Sequence, residues 1–190
     1  MGDRCCQVNF IQPSGARPPY NLKGRGEYST IKDRAWHVLS NTNHLSLMSG
    51  YQSEHEQVLS VVNAVMKAYI EGRDKPVLFV MHYATLVVDE NEKESLHVPF
   101  QSMRHGIKFD LIPKIHGGKC NMAIEQEEFP IKFDGEKIFF NIEKPTQEEL
   151  DRYDCYELTS EAEMSKIWEQ RVHRKSKKTT QEGIPLAEWR

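Results

Sequence analysis

The sequence predicts a mainly β fold with one or two short helices. The strongest local signal is the dipeptide Asp134-Gly135, which lies between two runs of alternating residues, 128–133 and 136–142. Glycine accepts a positive φ without steric cost, so this pattern predicts a hairpin with a type I′ turn. A second apolar run, Pro76 to Val88, has the length and composition of a strand.

Residues 53 to 71 fit two different structures. Ser53 and Glu56 form the S-x-x-E pattern of a helix start, and apolar residues follow at helical spacing. The same segment is rich in β-branched valines, and a hairpin-sized loop around Gly72 joins it to the next strand. We expect a β-hairpin of 58–70 with 76–88, although the pattern alone leaves the helix open.

Two short helices are predicted by their end signals. Residues 101–105 precede Gly106, which suits a helix C-terminus, and Thr146 with Glu149 forms a capping box. The domain boundaries follow from composition. We expect a flexible, Pro- and Gly-rich arm at 1–27, a β domain at 28–143, a helical linker at 144–160 and a basic, mostly disordered tail at 161–190.

Composition excludes several classes of protein. The 190 residues carry a formal net charge of -3, so there is no global basic field for nucleic acid. No apolar run approaches the roughly 20 residues of a membrane-spanning helix, and no secretory signal is visible, so we expect no membrane association. The four cysteines are scattered, which favours reduced thiols and an intracellular protein of the cytoplasm or nucleus.

Few residue patterns point to chemistry. The sequence has no P-loop, H-E-x-x-H or G-x-S-x-G motif, so we expect no cofactor and no small-molecule ligand. His116 and Cys120 have one zinc-like spacing, but a second ligand pair is missing and no metal site is predicted. Near the C-terminus, the basic run 171–178 suits either a solvated linker or contact with nucleic-acid phosphates, through Arg171, Arg174, Lys175, Lys177 and Lys178.

The order of four segments resembles the polyproteins of copia-type retrotransposons, particularly those of diatoms and related algae. The similar stretch is the protease together with the linker before the integrase, and it covers about residues 22 to 190. The segments are 34–40 (R-A-W-H-V-L-S), 62–69 with 77–84, 94–107 (E-S-L-H-V-P-F-Q-S-M-R-H-G-I), and 133–140 with the K-P-T to E-L-T-S stretch that ends at Ser160.

This resemblance implies a retropepsin-like small barrel or sandwich. Retropepsins complete their active site by pairing two subunits, so a homodimer is implied as well. The family's Asp-Ser-Gly loop is absent before the tryptophan segment, where the chain reads G-R-G-E-Y-S-T from Gly24 to Thr30. The nearest aspartate, Asp33, is followed by Arg34 and Ala35 instead of Ser/Thr-Gly.

We therefore expect a protease-like domain without catalysis and assign no catalytic residue. Two alternatives stay open. In the first alternative, the domain is an active aspartic endopeptidase that uses an unrecognised aspartate, for which Asp33 is the candidate. Otherwise the chain is a nucleic-acid-associated or scaffolding fragment that acts through the basic run 171–178.

Overall fold

Two β-sheets, one of nine strands and one of three, form the fold. They are seen in a computed structural model, which describes residues 6–10, 29–48, 57–88 and 94–166. The strands in chain order are Cys6–Phe10 (β1), Thr30–Lys32 (β2), His37–Met48 (β3), Gln57–Tyr69 (β4), Val77–Val87 (β5), Glu94–His97 (β6), Lys108–Asp110 (β7), Asn121–Ile124 (β8), Glu127–Pro130 (β9), Lys132–Phe133 (β10), Ile138–Glu143 (β11) and Cys155–Glu157 (β12).

Three short α-helices accompany the strands, one more than the expected maximum of two. They are Pro99–Arg104 (α1), Gln147–Leu150 (α2) and residues 161–166 (α3), and a 3-10 turn spans Lys114–His116. Within the described ranges, none of the helices combines the length and apolar character required to cross a bilayer. The prediction of a mainly β fold with short helices is confirmed.

The large sheet has the order β10-β11-β1-β6-β2-β5-β4-β3, and β12 pairs with β5. It is strongly curled because β4 changes partners along its length: its first part pairs β3, and its last residues pair β11. The small sheet, β7-β8-β9, packs against the large one and gives a small sandwich. Phe129 of the small sheet meets Phe79 of the large sheet edge to face, with ring centroids 5.3 Å apart.

The β4–β5 hairpin is the centre of the domain, as predicted. Gly72 in its turn has a φ of 82°, a value that favours glycine. Residues 61–68 of β4 are all buried, so both faces of this strand are covered. A strand that is covered on both faces has apolar residues at consecutive positions and lacks the usual alternation. Such a run also contains residues at helical spacing, so that spacing did not distinguish the strand from a helix. The predicted face of Val77, Phe79 and Met81 is buried.

The Asp134-Gly135 hairpin is confirmed in position but wrong in turn type. A type I′ turn requires positive φ at both central residues, and in this turn only Gly135 has it, at 106°. The predicted strand 128–133 is also divided, because β9 belongs to the small sheet and β10 to the large one. Ile131 lies at the crossing and donates its backbone N–H to the Cys120 carbonyl at 2.8 Å.

The segment predicted as a flexible arm, 1–27, contains a strand of the large sheet. β1 lies between β11, which is antiparallel to it, and β6, which is parallel. Val8 of this strand is buried in the core. The alternation of polar and apolar residues from Gln7 to Phe10 could have predicted this strand. The proline-rich stretch that follows it favoured a flexible arm instead. Residues 11–27 lie outside the described ranges.

The predicted linker and the start of the tail pack onto the β domain. The Thr146–Glu149 capping box opens α2 as predicted. After α2, β12 joins the large sheet, and Leu158 enters the core. In α3, Met164 is buried against Val61. A boundary at residue 143 or 160 therefore divides one packed unit, while the predicted disorder of 167–190 falls outside the described residues.

Candidate functional site

Asp33, the candidate catalytic residue, lies in the exposed turn that follows β2. Lys144 Nζ is 3.7 Å from Asp33 Oδ1, and the same amine donates to the backbone carbonyl of Asp33 at 3.3 Å. An aspartic peptidase needs two carboxylates about 3 Å apart that share one proton. The group that the structure places beside Asp33 is a cation, so this pair does not provide the required chemistry.

The predicted nucleic-acid residues, Arg171, Arg174, Lys175, Lys177 and Lys178, lie outside the described part of the chain. The same holds for residues 24–28, where the family's active-site loop is missing from the sequence. Contact with nucleic acid through the basic run remains a prediction.

A buried polar network joins the start of β2 to β6 and α1. The Ser29 hydroxyl donates to Gln101 Oε1 at 2.7 Å and accepts from the Val98 backbone N–H at 3.0 Å. The two ring nitrogens of His97 bridge two serines, with Nδ1 3.2 Å from Ser29 Oγ and Nε2 3.0 Å from Ser102 Oγ. All the side chains of this network apart from that of Val98 are buried.

These hydrogen bonds determine which tautomer of His97 fits. Because the Ser29 proton is directed at Gln101, Ser29 Oγ acts as an acceptor toward His97 Nδ1–H. His97 Nε2 then accepts from the Ser102 hydroxyl. Complete burial lowers the pKa of His97 to about 3, so the ring is neutral at ordinary pH.

A serine beside a histidine suggests a nucleophile and its base, but this arrangement is structural. Nucleophilic catalysis needs a hydroxyl that a substrate can reach and a histidine that can hold a proton. Ser29 is fully buried, and its hydroxyl already donates to Gln101. The network instead fixes the first residues of β2, since the Ser29 carbonyl also accepts the Thr85 N–H at 2.9 Å.

A neighbouring hydroxyl extends the same anchoring role. Ser95 Oγ of β6 accepts from the Trp36 indole N–H at 3.1 Å and from the Lys32 backbone N–H at 3.2 Å. Trp36 is completely buried, so its N–H needs an internal partner. The serine satisfies this donor and thereby positions the tryptophan segment against β6.

A cavity of about 560 Å³ opens where the end of β4 faces the 3-10 turn and β10. Its inner wall consists of the buried side chains of Ile70, Cys120, Ile131 and Phe139. Concave apolar sites of this size that carry a few polar groups are typical of ligand sites. Nothing in the sequence pattern predicted it, since its walls come from separate segments.

Cys120 in this wall has an unusual backbone conformation, with a φ of 49°. Non-glycine residues adopt this region rarely and at an energetic cost. Two backbone hydrogen bonds hold it, from Cys120 N–H to the Ile112 carbonyl and from Ile131 N–H to the Cys120 carbonyl, at 3.1 and 2.8 Å. Burial raises the pKa of the Cys120 thiol, so it is a protonated wall residue rather than a reactive thiolate.

Two histidines, His82 and His105, approach one carboxylate. Glu157 lies 3.9 Å from His82 Nε2 and 4.0 Å from His105 Nε2, while His116 is exposed in the 3-10 turn. Direct metal ligation requires donor atoms near 2 Å from one ion. Among the described residues, no group of three His, Cys, Asp or Glu side chains has an arrangement that could hold a metal.

Comparison with known proteins adds no relative. No family model, no curated protein and no solved structure matches this chain. The interpretation of its function therefore depends on the residues themselves and on the sequence resemblance.

Proposed function

We propose that this chain is the protease-like domain of a copia-type retrotransposon polyprotein and that it has retained the fold without peptidase chemistry. The proposal combines the sequence resemblance with the surroundings of the missing active-site loop. It assigns the domain a structural place in a polyprotein, with no bond-breaking step.

The segments that carry the resemblance contribute to the core of the domain. Ala35 and Trp36 from the tryptophan segment are fully buried. The segment pair 62–69 and 77–84 lies within β4 and β5, the central hairpin. Segment 94–107 supplies β6 and α1, and segment 133–140 spans the Asp134-Gly135 hairpin. Because buried segments determine how a domain packs, their positions support the proposal that this chain shares the family's fold.

The observation that carries the proposal is the environment of Ser29. The sequence resembles the family up to this point, but the family's Asp-Ser-Gly loop is missing immediately before this residue. Ser29 is buried, and its backbone N–H and hydroxyl both donate to Gln101 Oε1, at 2.9 and 2.7 Å. A catalytic aspartate must face a substrate and a water molecule, whereas the chain enters the core at this point.

A peptidase assay tests the proposal. The purified full chain is incubated with a broad peptide library at pH 4 to 6, with and without a statine-type transition-state inhibitor. We expect no inhibitor-sensitive cleavage. The Asp33→Asn variant is the matched control, because it removes the candidate carboxylate and retains the size of the side chain.

Two results would be informative against the expectation. Inhibitor-sensitive cleavage that disappears in Asp33→Asn would overturn the proposal and make Asp33 catalytic. Inhibitor-sensitive cleavage that persists in Asp33→Asn would also overturn it, and would locate the carboxylates elsewhere. Cleavage that the inhibitor does not affect would identify a contaminating peptidase of another class.

A further inference from the structure

The rim of the cavity carries two lysines without anionic partners. Lys114 of the 3-10 turn and Lys132 of β10 both line it. Within the described residues, neither amine forms an ion pair or a side-chain hydrogen bond. Glu71 is the one carboxylate of the lining, so the lining has a net positive charge.

Other lysines of the domain show that pairing is available elsewhere. Lys67, Lys119, Lys137 and Lys144 all lie within 4.0 Å of a carboxylate oxygen. Lys75 and Lys108 also lack such a partner among the described residues, so what distinguishes Lys114 and Lys132 is that both line one cavity. Two ammonium groups that line one cavity repel each other, and an anion bound between them would relieve that repulsion.

The lip of the cavity also exposes apolar surface. Ile115 is 76% exposed although it borders the buried wall, and Phe133 beside Lys132 is half-buried. Exposed isoleucine next to a concave apolar wall is surface that an apolar ligand would remove from water.

Backbone contacts hold the apolar wall of the cavity in place before any ligand binds. One backbone hydrogen bond joins Ile131 to Cys120 and another joins Cys120 to Ile112, and the neighbouring Gly118 approaches Ile112 too closely for any Cβ. A preformed wall lowers the ordering cost of binding.

We propose that this cavity binds a carboxylate attached to an apolar body. The carboxylate lies between Lys114 and Lys132, and the apolar body covers Ile115 and reaches the wall at Ile131. This chemistry has two sources, a free aliphatic acid or the C-terminal carboxylate of a peptide that ends in an apolar residue. The site is independent of peptidase activity.

Four probes separate the contribution of charge from that of apolar surface. They are decanoate, decanamide, the peptide acetyl-Ala-Ala-Phe as the free acid, and the same peptide as its C-terminal amide. Binding to the full chain is followed by ¹⁵N and isoleucine-methyl NMR. We expect at least one acid to shift the signals of residues 114–120 and the Ile115 methyl group, and its amide to bind about tenfold more weakly.

Variants of the rim test the site directly. The double variant Lys114→Gln/Lys132→Gln should weaken binding of the acid about tenfold, and Glu71→Gln should strengthen it a few-fold. Lys108→Gln, an exposed lysine on β7 outside the cavity lining, is the matched control and should leave the affinity unchanged. Ile115→Ser should weaken both the acid and the amide.

The outcome also decides the source of the carboxylate. Binding of decanoate alone indicates a free aliphatic acid, binding of the peptide acid alone indicates a chain terminus, and binding of both indicates the shared chemistry. Equal affinity for acid and amide, loss of binding in Lys108→Gln to the same extent as in the double variant, or no shifts with either acid would overturn the proposal.

Discussion

Two polar clusters of this domain show different ways to place hydrogen-bonding groups inside a protein. The cluster around His97 is neutral and fully buried, and its groups bond to one another. The cluster around Lys67 is charged: Lys67 itself is buried between β5 and β11, and its two carboxylate partners are more exposed. Lys67 Nζ lies 2.8 Å from Glu149 and 3.2 Å from Glu143.

The pKa of His97 is lowered and the pKa of Lys67 is raised, because different interactions dominate at the two sites. Burial alone explains the lowered pKa of His97. Burial also acts to lower the pKa of Lys67, but hydrogen bonds with Glu149 and Glu143 outweigh it, and the pKa is raised. A buried neutral group that loses its hydrogen-bond partner has no water to replace it, whereas the carboxylates of Glu143 and Glu149 are partly exposed and can be hydrated. The neutral cluster should therefore be the more sensitive of the two.

The largest expected effect is loss of stability in acid through His97. Its folded pKa of about 3 lies below the value of about 6.5 in an unfolded chain, so the unfolded state binds a proton first. The stabilisation is complete above pH 6.5 and is lost as the pH falls toward 3, amounting to about 4–5 kcal/mol. Urea unfolding from pH 7 to pH 3 measures it.

The His97→Gln variant removes this titration and retains a side chain that can donate and accept. We expect its pH dependence between 6.5 and 4 to be much flatter than that of the wild type. His116→Gln, at an exposed histidine, should retain the wild-type slope. If His97→Gln also retains it, the acid sensitivity in this range comes from other titrating groups.

Ser29→Ala should give the next largest effect, a loss of about 2 kcal/mol. The change leaves the Val98 N–H and one His97 nitrogen without an acceptor in a site that excludes water. Ser165→Ala, at a half-buried serine of α3 whose hydroxyl has no hydrogen-bond partner among the described residues, should cost less than about 0.5 kcal/mol. Equal losses for the two variants in urea unfolding would show that the network contributes nothing beyond a hydroxyl.

Lys67→Met should cost less, about 1 kcal/mol, because Glu143 is half exposed and can be hydrated. A double-mutant cycle with Glu149→Gln measures the coupling between the two side chains. Lys119→Met breaks a far more exposed pair with Glu128 and should have no measurable effect. A loss from Lys67→Met that exceeds the loss from Ser29→Ala would reverse the ranking of the clusters.

Apart from the control variants, the smallest effect is expected for Thr146→Ala, about 0.5 kcal/mol at the start of α2. Thr146 Oγ1 accepts the Glu149 N–H, and Glu149 Oε2 accepts the Thr146 N–H. Thr146→Ser retains the cap and serves as the control. A loss larger than that of Lys67→Met would mean that the cap, and not the lysine, holds Glu149 in place.

Sequence reasoning succeeded where neighbouring residues determine the structure. The hairpins at Gly72 and at Asp134-Gly135, and the capping box at Thr146, all depend on residues a few positions apart. It failed where pairing joins distant segments, as in the parallel contacts of β1 with β6 and of β12 with β5. Parallel pairing requires no turn signal, so the sequence carries no local sign of it.

The candidate sites show the same limit. His97 is recognisable as a histidine on a short strand, but its partner Ser29 lies 68 positions earlier. The cavity is assembled from the end of β4, the 3-10 turn and β10, and its two lysines have no distinguishing pattern in the chain. The sequence could reveal the missing aspartate loop because such a loop is a contiguous motif.

The position of β1 has a consequence for how the protein is made. β1 is synthesised first, yet both strands that flank it, β6 and β11, are far along the chain, and β11 ends at Glu143. β1 therefore lacks one or both of its pairing partners, β6 and β11, while most of the domain is being translated. Contacts of such long sequence separation slow folding. A translation pause placed before residue 138 would lengthen the time during which an unpaired β1 is open to capture by chaperones or by another nascent chain.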